Sequence, residues 1–194
     1  MKSFQLAGSA RADLGKKAAK AYRANGEIPC ELYGQGRNVH FTCKESDLRK
    51  LVYTPEIYYV ELTIGAEKCL AVVQETQFHP ISDRVLHMDF LEVTMDKPVV
   101  MQVPVRLEGL AAGVKAGGKL SLDMRKLKVK GLIKAIPEKM IINVEKLEVG
   151  KAIQVKNLEF DGLTLLNPAG ALVCSVKATR GARAAEEEEA PAAE

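Results

Sequence analysis

The sequence predicts a mainly β protein of the α+β class: a closed or nearly closed antiparallel barrel with short helices, then a second β-rich domain. Three observations carry this. Short segments rich in β-branched and aromatic residues alternate apolar with polar through the first half. Turn residues separate a second series of such segments downstream. Only two intervals, both in the first half, carry helix signals.

In chain order, the first helix is expected over residues 16–25. Gly26 stands just past its end, able to take a left-handed conformation, and Pro29 lies beyond. A strand follows at 39–43, then a short helix at 47–52 with Ser46 placed to cap its exposed amides. Strands are expected at 58–64, 69–73 and 85–93, and so many in a small region favour barrel closure. The second block begins near Asp96-Lys97-Pro98, with strands at 99–107, 127–133, 140–144, 153–155 and 171–176. This gives domains at 1–95 and 96–178, with 179–194 as an acidic tail of Ala, Glu and Pro. Having no core-forming run, the tail is expected to be disordered.

The chain has 194 residues, 47% of them hydrophobic and 27% charged, an ordinary globular balance. No apolar run reaches the ~18 residues a membrane span needs, and the N-terminus lacks the pattern of a signal peptide. A cytoplasmic protein without membrane contact is expected. Cys30, Cys43, Cys69 and Cys174 lie far apart, without zinc-knuckle or redox-pair spacing, and read as reduced packing residues. The net charge of +3 hides a division. Residues 1–95 balance twelve basic against twelve acidic groups, 96–178 hold fourteen against eight, and the tail holds two against five. Any nucleic-acid site must therefore be a local basic patch.

Lys16, Lys20 and Arg23 are spaced four and three apart, so a helix presents them on one face. Ala18, Ala21 and Tyr22 are expected to form the opposite, packing face, while Ala19 leaves the basic face flat for approach of a nucleic-acid backbone. By itself such a face is as often merely solvated. Gly113-Val114-Lys115-Ala116-Gly117-Gly118-Lys119 has the spacing of a phosphate-binding loop, but Leu120 stands where that motif needs a hydroxyl, and no convincing helix follows. It reads as a loop of a β-rich domain. His79, His87 and Asp89 suggest a metal trio without a recognisable fourth ligand or catalytic acid. His87 and Asp89, two apart on a strand, share a face suited equally to a metal or to hydrogen bonding with a base edge or ribose. No nucleophile elbow, catalytic dyad or dinucleotide fingerprint is present, so no enzyme activity, cofactor or small-molecule substrate is expected.

Arg11…Gly15-Lys16, Arg23…Ile28-Pro29, Leu32-Tyr33-Gly34 and Gln74…Gln77-Phe78-His79-Pro80…His87-Met88-Asp89-Phe90 occur in that order. Together they resemble the bacterial family of 5S-RNA-binding large-subunit ribosomal protein twenty-five. Val103-Pro104-Val105, Gly113-Val114-Lys115…Gly118-Lys119-Leu120 and Ile136-Pro137 are similar to the second domain of its long members, the general stress protein Ctc family. The likeness runs from residue 4 to about residue 177.

The resemblance implies a six-stranded barrel bound to 5S rRNA in the central protuberance of the large (50S) ribosomal subunit, beside neighbouring ribosomal proteins. By position, Arg11, Lys16, Lys20 and Arg23 would meet the RNA backbone, with Tyr33 beside them. Gln74, Gln77, His79, His87 and Asp89 match the second part of the family's RNA-binding surface. Ala19 and Phe78 depart from a hydroxyl and a basic residue found in some relatives. Two other functions compete: a stress-associated module acting off the ribosome through a protein partner, and a metal-dependent hydrolase built on the His–His–Asp trio.

Overall fold

A computed structural model describes residues 1–179, and the expected disordered tail beyond lies outside the described residues. Thr179, the last described residue, donates its hydroxyl to the Gly117 carbonyl at 2.7 Å. The described residues divide into two compact units, Met1–Val99 with Leu132–Glu138, and Val100–Gly131 with residues 139–179.

In the first unit the order is β1 (Lys2–Ala10), α1 (Lys16–Ala24), β2 (Glu27–Gly34), β3 (Arg37–Lys44), α2 (Glu45–Val52), β4 (Tyr58–Ile64), β5 (Glu67–Phe78) and β6 (Val85–Glu92). These six strands close into a barrel in the spatial order β1-β3-β2-β6-β5-β4. The barrel is as expected, but antiparallel pairing throughout is corrected at two seams. β1 runs parallel to β4, and β2 parallel to β6. Parallel neighbours need long crossovers rather than hairpins; the chain between β1 and β4 carries both helices, and that between β2 and β6 carries α2.

Period-two alternation turns one row of each strand inward. Leu6, Ile28, Cys30, Leu32, Phe41, Cys43, Val60, Leu62, Ala71, Met88 and Phe90 fill the interior, with Leu48 and Leu51 of α2 packed against them. Phe41 and Phe90 meet with ring centroids 5.6 Å apart. β1 passes Phe41 at Gly8, where a Cβ would lie 2.6 Å from the ring, so the closure there requires a residue without a side chain.

Tight turns set the register. The β2–β3 hairpin pairs Gly34 with Arg37 across Gln35 (φ 51°) and Gly36 (φ 82°), the doubly left-handed turn that suits the strand twist. Arg37 then grips Glu92 at the end of β6 with two bonds, Nε at 2.8 Å and Nη2 at 2.6 Å. The second helix starts at Glu45, earlier than expected, and Ser46 does not cap it. Because Lys44 occupies the cap position, Ser46 lies inside the first turn and donates to Asp47 instead.

The second unit contains β7 (Val99–Glu108), α3 (Ala112–Lys115), β8 (Lys119–Leu122), β9 (Lys126–Gly131), β10 (Met140–Asn143), β11 (Ala152–Gln154), a short 3₁₀ turn at Val155–Asn157, β12 (Leu163–Leu165) and β13 (Leu172–Lys177). They form one sheet in the order β10-β7-β9-β12 and another in the order β11-β13-β8. The stretch resembling a phosphate-binding loop becomes α3, a turn and β8. Its glycines serve close packing: a Cβ on Gly113 would meet the Glu148–Val149 backbone at 2.6 Å, and one on Gly118 would meet Val176 at 2.6 Å.

Gly34 combines a φ of 132° with a Cβ position 2.9 Å from the Glu92 carbonyl oxygen. Gly34→Ala should therefore destabilise the barrel by about 1–3 kcal/mol. All five tyrosines lie in the first unit and the chain has no tryptophan, so urea unfolding followed by tyrosine fluorescence reads this unit alone. An unchanged midpoint would show that the turn tolerates a side chain.

Candidate nucleic-acid interface

The first half of the surface is α1. Its N-terminus is set by Gly15 (φ 97°), whose carbonyl accepts from the Ala19 amide at 3.0 Å. Its end is set by Gly26 (φ 78°), in the left-handed conformation expected of it. The helix packs on β2 through a face different from the one the sequence suggested. Ala18, Ala19, Tyr22 and Arg23 are half-buried, whereas Ala21 is exposed. A 3.6-residue period places 18, 19, 22 and 23 on one stripe, which corrects the packing face to include Ala19 and exclude Ala21. Lys16 and Lys20 remain exposed, joined by Lys17.

Arg23 separates from the two lysines. Its Nε donates to the Leu86 carbonyl of β6 at 2.9 Å, tying α1 to the strand that carries His87. Arg11 leaves β1 with its guanidinium 5.2 Å from the Tyr22 ring centroid, a cation–π distance. Its Nη2 donates to the Asp13 carbonyl at 3.3 Å. Its buried Nε has no hydrogen-bond partner among the described residues.

The second half is the outer face of the sheet. Register aligns His40 of β3, Glu31 of β2, Asp89 of β6 and Glu75 of β5 in one row across four strands. His87 stands two residues from Asp89, opposite Gln77, and its Nδ1 lies 2.7 Å from the Asp89 carboxylate. That contact needs the proton on Nδ1, so the neutral ring keeps Nε2 as an acceptor. His79 has the opposite arrangement. Its Nδ1 accepts from the Ile81 and Ser82 amides at 3.3 Å each, leaving Nε2–H as a donor. The two imidazoles thus offer opposite hydrogen-bonding characters.

Gln74 is exposed at the β5 bulge, where the register jumps from Val73 to Glu75. The extra residue releases it from the alternation that would otherwise fix its side. Tyr33 is half-buried on β2. Burial pushes its phenol above the ordinary tyrosine range, and the carboxylates of Asp89, Glu31 and Glu75 push it the same way. Arg23 and His79 meet around a cavity of about 250 Å³ that also includes Glu27, Glu45, Ser82 and Arg84. There Arg84 and Glu45 pair at 2.6 Å, and the guanidinium holds the Glu45 carboxyl below its usual range.

The ten expected residues therefore fall into three groups: Arg11, Lys16 and Lys20 on and before α1; Arg23 and His79 at the cavity; and Tyr33, Gln74, Gln77, His87 and Asp89 on the sheet. The trio His79, His87 and Asp89 does not form a metal site. No set of three or more His, Cys, Asp or Glu among the described residues has metal-holding geometry, and His79 spends its Nδ1 on the amides of its own loop. Sequence reasoning missed Lys17, Glu31, His40 and Glu75. For Glu31, the alternation with buried Cys30 and Leu32 was a usable signal.

Comparison with known proteins finds two family models along the chain. Residues 6–90 match the Ribosomal L25p family, and residues 98–180 match the C-terminal domain of ribosomal protein TL5. Similar proteins include the large ribosomal subunit protein bL25 of Porphyromonas gingivalis, 57% identical over 95% of this chain and 97% of its own length. Those of Azobacteroides pseudotrichonymphae and Bacteroides thetaiotaomicron are 56% and 51% identical, over 94% and 95% of this chain and 97% of each relative.

Replacing Asp89 by Asn removes a negative charge that opposes ionisation of Tyr33. The Tyr33 phenol should then titrate at lower pH than in the wild type, read from the tyrosinate absorbance. An unshifted titration would mean that the Asp89 carboxylate does not act on Tyr33. Matched by both family models, and by relatives more than half identical over nearly the whole chain, the chain belongs to the ribosomal L25p family of large-subunit ribosomal proteins, in its long two-domain form.

Proposed function

We propose that this protein is a structural constituent of the large ribosomal subunit in the cytoplasm, and that residues 1–95 bind 5S rRNA without catalysing a reaction. The observation that carries this reading is the juxtaposition on one barrel of an exposed lysine face with a directional polar row. Lys16 and Lys20 project from α1, while His87, Asp89 and Gln77 occupy the outer sheet, and Arg23 ties the two together through Leu86. In A-form RNA the accessible minor groove displays 2′-hydroxyls and base edges, flanked by phosphates. Lysines supply the phosphate attraction. The sheet supplies acceptors at Asp89 and His87 and both characters at Gln77, and His79 in the adjoining loop adds a donor, groups that discriminate between RNAs.

Arg23 has a double part in this reading. Its Nε is committed to Leu86, which orients the guanidinium and leaves its Nη groups for a phosphate. Residues 96–178 form the second domain, placed with the first on the large subunit beside neighbouring ribosomal proteins.

Gel-shift titration against 5S rRNA, with transfer RNA as competitor at several salt concentrations, tests the reading. Tight, competitor-resistant binding is expected. The double variant Lys16→Ala/Lys20→Ala should weaken binding to both RNAs and flatten the salt slope by roughly 1.4–1.8. His87→Ala should instead narrow the preference for 5S rRNA by ~1 kcal/mol or more. Arg23→Ala should weaken binding by about 1 kcal/mol or more and also flatten the slope. Equal affinity of the wild type for transfer RNA would sink the proposal.

A further inference from the structure

Three lysines of the second unit stand in a row on one strand. β9 reads Lys126-Leu127-Lys128-Val129-Lys130-Gly131 and alternates exposed and buried residues without a break. Leu127 and Val129 are fully buried, so the backbone has no freedom to rotate the lysines inward. All three therefore leave the same face, spaced roughly 6.6 Å apart by the strand rise.

The strand is held on both sides. β12 pairs with it antiparallel, setting Thr164 opposite Lys130. The Lys128 amide donates to Asn167 Oδ1 at 2.7 Å, and its carbonyl accepts from the Leu166 amide at 2.9 Å. On the other side lies β7, where exposed Arg106 adds a fourth cation to the sheet's solvent side. None of Lys126, Lys128, Lys130 or Arg106 forms an ion pair among the described residues.

We infer that the β9 lysine row is a second RNA-binding surface, which takes the phosphate backbone of an RNA strand. Cations at fixed, regular intervals on a rigid strand suit a polymer whose charges also recur at a regular interval. An acidic peptide carries its charges on side chains of independent conformation and gains less from that order. The exposed Thr164 hydroxyl next to Lys130 supplies a neutral donor and acceptor, suited to a phosphate oxygen or a 2′-hydroxyl. Recognition by this row is independent of base sequence, because no directional side-chain pair accompanies the lysines. The barrel interface plays no part in the inference.

The full chain is titrated with a labelled mixed-sequence RNA duplex, followed by fluorescence anisotropy at several salt concentrations. The triple variant Lys126→Gln/Lys128→Gln/Lys130→Gln should reduce the slope of log affinity against log salt by about two. The triple Lys→Arg variant should keep the wild-type slope. A control variant with Lys115, Lys139 and Lys156 changed to Gln removes the same charge at scattered positions and should change the slope far less. Lys16→Ala/Lys20→Ala should add its own loss to that of the β9 variant, which keeps failure of the barrel reading separate from failure of this one. Equal losses in the scattered control, or an unaltered slope in the β9 variant, would overturn the inference. So would competition by polyglutamate as effective as that by unlabelled duplex.

Discussion

The barrel's outer surface depends on how the cylinder closes. Its two parallel seams, β1 with β4 and β2 with β6, join segments that are distant in sequence. A parallel seam forces an excursion through other strands and helices before the chain returns in the same direction. The first excursion carries α1 against β2, and α2 packs Leu48 and Leu51 on the core. Inside, Phe41 and Phe90 occupy the space that closure leaves, and Gly8 permits β1 to pass the Phe41 ring. The helix with the lysines and the strand with His87 are neighbours because of this closure, with Arg23 fastening one to the other.

The electrostatics of the two halves differ in kind. α1 offers cations, whereas the row across the sheet contains three carboxylates, Glu31, Asp89 and Glu75. Placed against RNA, such a row repels phosphate and favours groups that donate hydrogen bonds. The carboxylates are partly committed within the protein, Glu31 to Asn38 at 2.5 Å and Asp89 to His87. Asp89 therefore keeps the His87 ring oriented while retaining further acceptor capacity. In the proposed reading affinity falls to a helix and discrimination to a sheet, elements that separate substitutions can address.

Much of the fold was legible in the sequence, and the parts that were not have physical reasons. α1 ended where Gly26 and Pro29 said it would, and the strands around Phe41, Val60, Ala71 and Met88 followed their alternation. β2 was hidden by Pro29, which argues against a strand interior. In the structure Pro29 pairs with Thr42, but the seam to β6 registers only from Cys30 onward, so its missing N–H disturbs no bond there. β1 lacks β-branched residues altogether, and β8 and β12 are too short to show a period. The candidate site was read mostly from resemblance. Its row from His40 to Glu75 joins four strands, an arrangement with no linear signature. The helix face was misassigned because Ala21 and Ala19 are indistinguishable in composition and differ only in phase.

The placement of the cysteines has a kinetic consequence. Cys30 and Cys43 are sealed inside the barrel on adjacent strands, while Cys69 is half-buried. The Cys30 thiol is pushed far above the ordinary range by its contact with Cys43 and by burial. Since the thiolate is the reactive form, an alkylating reagent reaches this pair only when the strands part. Cys174 is enclosed in the second unit in the same way. The rate at which each buried cysteine acquires a label thus becomes a clock for the opening of its own unit, and assembly into a larger particle would register as a slowing of that clock.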